Sequence, residues 1–314
     1  MSSTTQTLEG FLDLLRCPAS GQPLTRAGDN LITLDGHCQY PILESEIPAF
    51  AERPVSVQSQ KQLAHYDRIA TAYQANLEYP HTIEYMTYLD ACLHRAVGDA
   101  SLGVTAELCC GHGEAVSLFG SRITQGIGLD ISPKMLRQAR ASHVAPHLLF
   151  VQGDATNLPL APRSFDTVFM LGGIHHVPDR QRLFDEIARI LKPGGRFIFR
   201  EPVSDFYLWR FLRSIVYRLS PTLDHENERP LRLDETRPPL VSAGLRLDHW
   251  TTHGFFGFCV FMNSDVLVVN RLFRFVPGIR SLTRAAARLD DAVLSIPGFS
   301  GYGLQAIGCA TRLG

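Results

Sequence analysis

Three carboxylates, a glycine loop and a pair of histidines recur in this chain at the spacing of one repeating structural unit. Glu107 precedes the loop Cys109-Cys110-Gly111-His112-Gly113, Asp130 follows Glu107 by 23 residues, and Asp154 lies 24 residues further on. A glycine turn lets backbone amides approach a ligand closely, and an acid one unit downstream can accept hydrogen bonds from both hydroxyls of a ribose. The constellation therefore reads as a nucleoside site. His175 and His176 stand side by side, with Glu201 after them. An imidazole that titrates near neutrality, or a carboxylate, can take a proton from an acceptor group. These three residues are the candidate catalytic bases.

Two details distinguish one nucleoside from another. The loop reads G-x-G-x-x-V, with Val116 where a dinucleotide fingerprint has its third small residue, so the pyrophosphate motif is incomplete. Glu107 would repel a pyrophosphate but suits the ammonium of S-adenosylmethionine, and Asp154 suits an adenine amino group.

To place such groups together the chain must alternate strands and helices, and residues 60–200 do so. Apolar, β-branched runs predict strands at 104–108, 126–129, 148–153, 165–171 and 195–201, separated by helical segments such as SPKMLRQARAS and RQRLFDEIARILK. This alternation predicts an α/β, doubly wound parallel sheet whose ligands lie beyond the carboxyl ends of the strands. The runs 245–252 and 303–312 add a sixth and a seventh strand, giving a seven-stranded Rossmann-like sheet with an antiparallel edge. Ser132 before Pro133 supplies a helix cap.

The motifs AELCCGHG, GIGLDISPKML, VQGDATNLPL, SFDTVFMLGGIHHVPD and EIARILKPGGRFIFREP cover about residues 60–205 in this order. They resemble those of class I S-adenosylmethionine-dependent methyltransferases of the small-molecule type, related to the ubiquinone and menaquinone enzymes. The resemblance implies that Glu107, Gly111, Gly113, Asp130, Asp154 and Ala155 contact the cofactor, and that the HYDRIATAY segment closes over it through Tyr66 and Tyr73. Cys109, Ile131, Met135 and Leu171 flank these positions and complete the expected cofactor set. Tyr66 and Tyr73 are seven residues apart, which equally suits two core anchors on one helix face, and Met135 equally suits the core. Cys109 stands where the family usually has Gly, so a left-handed backbone there would cost energy. Inert burial is the expectation for both adjacent thiols.

Two further zones flank this unit. Residues 1–54 form a small β module that resembles a zinc ribbon of the Trm112-like kind in degenerate form. Cys17 is followed by Ser20 where a second Cys would stand, and Cys38, with His37 beside it, remains of the distal pair. Those ligands are too few for tetrahedral zinc, so no metal is expected. The methyltransferase unit, 60–314, carries insertions at about 203–233 and 253–300, expected to form a helical substrate cap. They concentrate Phe255, Phe256, Phe258 and Phe261, then Arg271, Arg274, Arg280, Arg284 and Arg288. Apolar faces rimmed with Arg suit an amphiphile, whether a lipid, a prenyl chain with an anionic head, a secondary metabolite or a membrane surface. The same pattern suits a cap whose apolar side packs on the sheet and whose Arg residues are solvated. Phe255, Phe256, Arg271 and Arg274 are the candidate acceptor-binding residues.

Composition bounds the remaining readings. With 45% hydrophobic and 19% charged residues the 314-residue chain is globular, and a formal charge of −1 with three Lys gives no field that draws it onto nucleic acid. A ribosomal-RNA-type methyltransferase is a rival disfavoured by that balance and by GGIHH where such enzymes carry D/N-P-P-Y/F. A second rival is a cofactor-binding module without catalysis. The longest apolar run, Phe255 to Met262, falls short of the ~20 residues that span a bilayer. An amino terminus without a basic stretch and an odd number of Cys predict a cytoplasmic protein with reduced thiols. The expected partners are a small-molecule acceptor to be methylated on oxygen or carbon, a membrane or lipid surface, and a second copy of the chain.

Overall fold

Apolar central strands, buried on both faces, and a more exposed antiparallel edge build a seven-stranded sheet in this computed structural model, which describes residues 8–51, 78–207, 210, 229–262 and 268–314. The sheet contains β5 (Gly103–Leu108), β6 (Ile123–Asp130), β7 (Leu148–Gln152), β8 (Phe165–Leu171), β9 (Leu191–Pro202), β10 (Leu245–His253) and β11 (Gln305–Arg312). Their order is β10-β11-β9-β8-β5-β6-β7, with β11 antiparallel to both neighbours and the β5 to β9 pairs all parallel. The chain runs outward from β5 to β6 and β7, then returns to β8 on the other side of β5. That reversal opens a crevice beyond the carboxyl end of β5, where ligands bind in such sheets.

Helices α1 (Pro80–Val97), α2 (Glu114–Phe119), α3 (Pro133–Ser142), α4 (Arg180–Ile190) and α5 (Leu233–Ser242) accompany the strands. As the sequence predicts, Ser132 caps α3, its Oγ accepting from Met135 N at 3.3 Å with Pro133 in the first turn. The amino-terminal module is a four-stranded antiparallel sheet, β1 (Leu24–Ala27), β2 (Asn30–Thr33), β3 (Gln39–Leu43) and β4 (Ile47–Pro48). It lies against the β7 edge, where Phe50 N donates to Gln152 O at 2.9 Å, and Leu8, Phe11 and Leu15 enter the same core as Leu158 and Leu160. A covered edge strand cannot recruit another chain.

Because β10 and β9 run the same way, residues 254–304 leave and re-enter the sheet at its ligand end. They form α6 (Phe256–Phe261), a 3-10 segment (Val268–Phe275) and α7 (Ile279–Leu294). The apolar side of this cap packs chiefly on α1 instead of the sheet, with Tyr85 and Leu89 of α1 buried against Phe261, Ile279 and Ala287. Tyr85 Oη donates to Asp290 Oδ2 at 2.6 Å, which fixes α7 on α1. No helix among the described residues is long and apolar enough to cross a membrane.

Candidate active site

The loop after β5 is left-handed at three of five positions, Cys109 (φ 50°), Gly111 (φ 50°) and Gly113 (φ 81°). At Gly113 a Cβ would also come within 3.1 Å of His143 Cδ2, so a side chain there would be both strained and crowded. Cys109 adopts this backbone despite its side chain, a conformation that costs about 1–2 kcal/mol in an L-residue. Burial, followed by the nearby Asp130 carboxylate, pushes its thiol well above the ordinary range, and the same holds for Cys110. Both thiols stay protonated and unreactive.

Acids occupy the strand ends predicted for them. Asp130 accepts from Gly111 N at 2.8 Å and from Ser132 N at 2.9 Å, and burial raises its carboxyl. Asp154 accepts from both the amide and the hydroxyl of Thr156, at 2.8 and 2.7 Å. Glu107 is spent differently from the simple ammonium partner expected: its two oxygens accept from Ala115 N at 2.8 Å and Val116 N at 3.3 Å, the first turn of α2. Burial pushes this carboxyl up to about 8. Met135 Cε lies 3.7 Å from where a Gly111 Cβ would stand, the Ile131 carbonyl accepts from Gln152 Nε2 at 3.2 Å, Ala155 is buried, and Leu171 is half-buried at the end of β8. Tyr66 and Tyr73 lie outside the described residues.

Next to this half, the β8–β9 register places Leu171 opposite Arg200, which brings Glu201 beneath the loop 172–176. Glu201 is 0% exposed. Its Oε1 accepts from Gly173 N at 2.7 Å and Ile174 N at 2.8 Å, while Oε2 meets His175 Nδ1 at 2.8 Å and His175 N at 3.4 Å. Burial raises the carboxyl to about 7. Glu201, one of the three candidate bases, is thus enclosed by four donors, one of them the His175 imidazole. His176 sits against His175, ring centroids 3.8 Å apart. Arg200, next to Glu201 in sequence, pairs with Asp90 at 2.8 Å and with Glu114, tying β9 to α1 and α2.

The candidate acceptor residues divide. The ring of Phe255 lies 5.5 Å from that of Phe206, which stacks on Tyr302 at 4.8 Å. Three segments at the ligand end of the sheet thus meet in one aromatic group. Phe256, in contrast, is 59% exposed, and Arg271 and Arg274 are surface residues, the latter over the rings of Tyr79 and Phe275. The reason is local: Gly257 faces inward, donating to Asp290 Oδ1 at 3.0 Å, so its neighbour on α6 turns out. Phe206 and Tyr302 escape a reading of the sequence, since nothing local joins residues almost a hundred positions apart.

In the amino-terminal module Cys17 Sγ lies 3.1 Å from Tyr40 Oη, and Asp35, three residues before Cys38, is held by Thr33 at 2.6 Å and Gln22 at 2.8 Å. No three His, Cys, Asp or Glu side chains among the described residues come together as a metal site. This donor set does not fit tetrahedral zinc.

Residues 106–199 match the protein family described as "Methyltransferase domain". The phthiotriol/phenolphthiotriol dimycocerosates methyltransferase of Mycobacterium tuberculosis is 33% identical over 122 residues, covering 37% of this chain and 45% of that protein. The demethylmenaquinone methyltransferase of Lactobacillus johnsonii is 35% identical over 97 residues, 29% of this chain and 40% of that one. The chain therefore spans less than half the length of these curated relatives. A chain from the complex between the Haloferax volcanii Trm112 methyltransferase activator and a methyltransferase shares the fold, with TM-score 0.54, 21% identity, and coverage of 80% of this chain and 97% of that chain. The family match, the relatives and the strand-end geometry converge on residues 106–199, which are similar to a methyltransferase domain.

Proposed function

We propose that the protein transfers a methyl group from S-adenosylmethionine to an oxygen or carbon of a small, largely apolar or amphiphilic acceptor. The observation that carries the acceptor half is His175, clamped by a fully buried Glu201 at the strand ends and followed by an aromatic group from the cap. The cofactor, when bound, supplies an electrophilic methyl on a sulfonium. Toward it, the left-handed loop at Gly111 and Gly113 lets the backbone approach, Asp130 accepts from the ribose hydroxyls, and Asp154 accepts from the adenine amino group. Ile131, Met135, Ala155 and Leu171 give apolar contact, with Glu107 supporting the loop from below. On the acceptor side, Glu201 holds Nδ1 of His175, so proton exchange with an acceptor hydroxyl runs through Nε2, and the carboxylate balances the imidazolium that forms. Phe206, Phe255 and Tyr302 form the apolar wall. The names of the relatives, built on phthiotriol and demethylmenaquinone, support an acceptor of this kind.

Residues 1–54 serve in this reading as a degenerate, metal-free ribbon docked on the methyltransferase unit of 60–314. All seven Cys are free thiols, which supports a reducing, cytoplasmic setting. The test is incubation of the protein with methyl-labelled cofactor and host extract, followed by mass spectrometry. We expect a small apolar product carrying the label, absent with His175→Ala. Label in RNA, or no consumption of cofactor at all, would overturn the proposal.

A further inference from the structure

The outer face of the cap combines two features that water does not favour side by side. From Val268 to Leu289 the chain carries five Arg, at 271, 274, 280, 284 and 288, and no acidic residue. Set among them, Leu272 is 61% exposed, Phe275 69%, and Leu282 and Leu289 55% each. Helical spacing sorts these groups on α7. Ile279, Thr283, Ala287 and Asp290 turn inward, Leu282 and Leu289, seven apart, share one flank, and Arg280, Arg284 and Arg288, four apart, share the other. One neighbour tempers the charge: Arg284 Nε lies 2.8 Å from Glu84 Oε1 on α1.

We infer that this face docks on an anionic phospholipid membrane, with Leu272, Phe275, Leu282 and Leu289 entering the acyl boundary and the Arg side chains meeting headgroup phosphates. A helix with Leu and Phe beside a run of Arg has the make-up of an interfacial element. Charge decides against the other occupants. A second copy packed through the same face would set five Arg against five Arg. A nucleic acid would neutralise the Arg residues but leave the Leu and Phe side chains in water. A bilayer with anionic lipid satisfies both sets at once. Since the cap springs from the ligand end of the sheet, docking would bring an apolar acceptor's own phase to the enzyme; the inference itself stands without the methyl-transfer reading.

The experiment is sedimentation of the full chain with sucrose-loaded vesicles of phosphatidylcholine, with and without phosphatidylglycerol. We expect binding to the mixed vesicles that weakens on adding salt. Each of Arg280→Gln and Arg288→Gln should weaken it about fivefold, and Leu282→Ser with Leu289→Ser about tenfold or more. All four side chains are exposed, so the melting temperature should hold, and circular dichroism checks that. Equal or absent binding on both vesicle types, retention by the Leu and Arg variants alike, or a dimer in sedimentation velocity that Leu282→Ser dissolves would overturn the inference. So would binding to RNA that outcompetes the vesicles.

Discussion

The strand-end loops and the cap lie at the same end of the sheet but are held in opposite ways. At the carboxyl ends of β5, β6 and β9, each acid is held by nearby donors: Glu107 by the first turn of α2, Asp130 by Gly111 and Ser132, and Glu201 by three amides and an imidazole. The cap is held by contacts that bridge about 200 residues, Tyr85 to Asp290 at 2.6 Å and Tyr88 to Asp291 at 2.5 Å beside the apolar cluster on α1, and its outer face is left to solvent. The loop acids are thus held by local polar contacts, and the cap by one seam against a distant helix. Under the proposed function, the first arrangement suits one nucleoside ligand and the second an acceptor that varies.

Mutation can break that division. The largest effect should come from His175→Ala, with turnover down about 10²–10⁴ and affinity for S-adenosylhomocysteine unchanged, since a positioned base contributes that much. Because burial holds Glu201 up to about 7, the wild-type rate should fall as pH drops through that region, as the buried pair takes up a proton. A rate independent of pH between 6 and 8 would count against the pair. Second, Asp130→Ala should weaken S-adenosylhomocysteine by about 1.5–3 kcal/mol, roughly tenfold or more by calorimetry, and leave KM for the acceptor alone. Third, Phe255→Ala should raise the acceptor KM by about tenfold while Phe256→Ala leaves it within about twofold, because only the first ring belongs to the aromatic group. If Phe255→Ala weakened cofactor binding instead, the two halves would not be separate.

The smallest effect is on stability. Folding raises the Glu107 carboxyl from 4.5 to about 8, so the folded state binds more protons across that interval. Its contribution to stability is whole below pH 4.5 and is lost as pH rises through about 8. Without cofactor, the melting temperature of the wild type should therefore decline by a few degrees more than that of Glu107→Gln between pH 5 and 9. Parallel curves for the two proteins would show that Glu107 is ionised throughout.

The strands were legible because each is a short apolar run closed by a turn, and a carboxylate at a strand end is a local signal. Ser132 before Pro133 announced a helix start in the same way. Glu201 and His175 were both visible, yet their pairing depends on parallel register between β8 and β9, which a single sequence does not print. Knowing that Leu171 faces Arg200 would have been enough. Beyond such local cues, sequence reading loses the cap. Tyr85 and Asp290 meet across 205 positions, and Phe206, Phe255 and Tyr302 come from three separate segments, so helical periodicity showed which faces were apolar but not what they would meet.

The pairing of His253 with Gln305 carries a consequence for the order of folding. Two residues would suffice to join antiparallel neighbours, but 51 intervene here, which raises the entropy of closing that loop by about 3 kcal/mol. Among the described residues β10 is hydrogen-bonded to the sheet only through β11, so its ladder cannot form until the whole intervening segment has been looped out. The delay falls on the edge of the sheet and spares β5 to β8, whose crossovers are short. Lengthening or shortening residues 254–304 should therefore alter how fast the last strand arrives while the nucleoside loops form on their own schedule. That separation in time makes this position a tolerant one for exchanging whole segments.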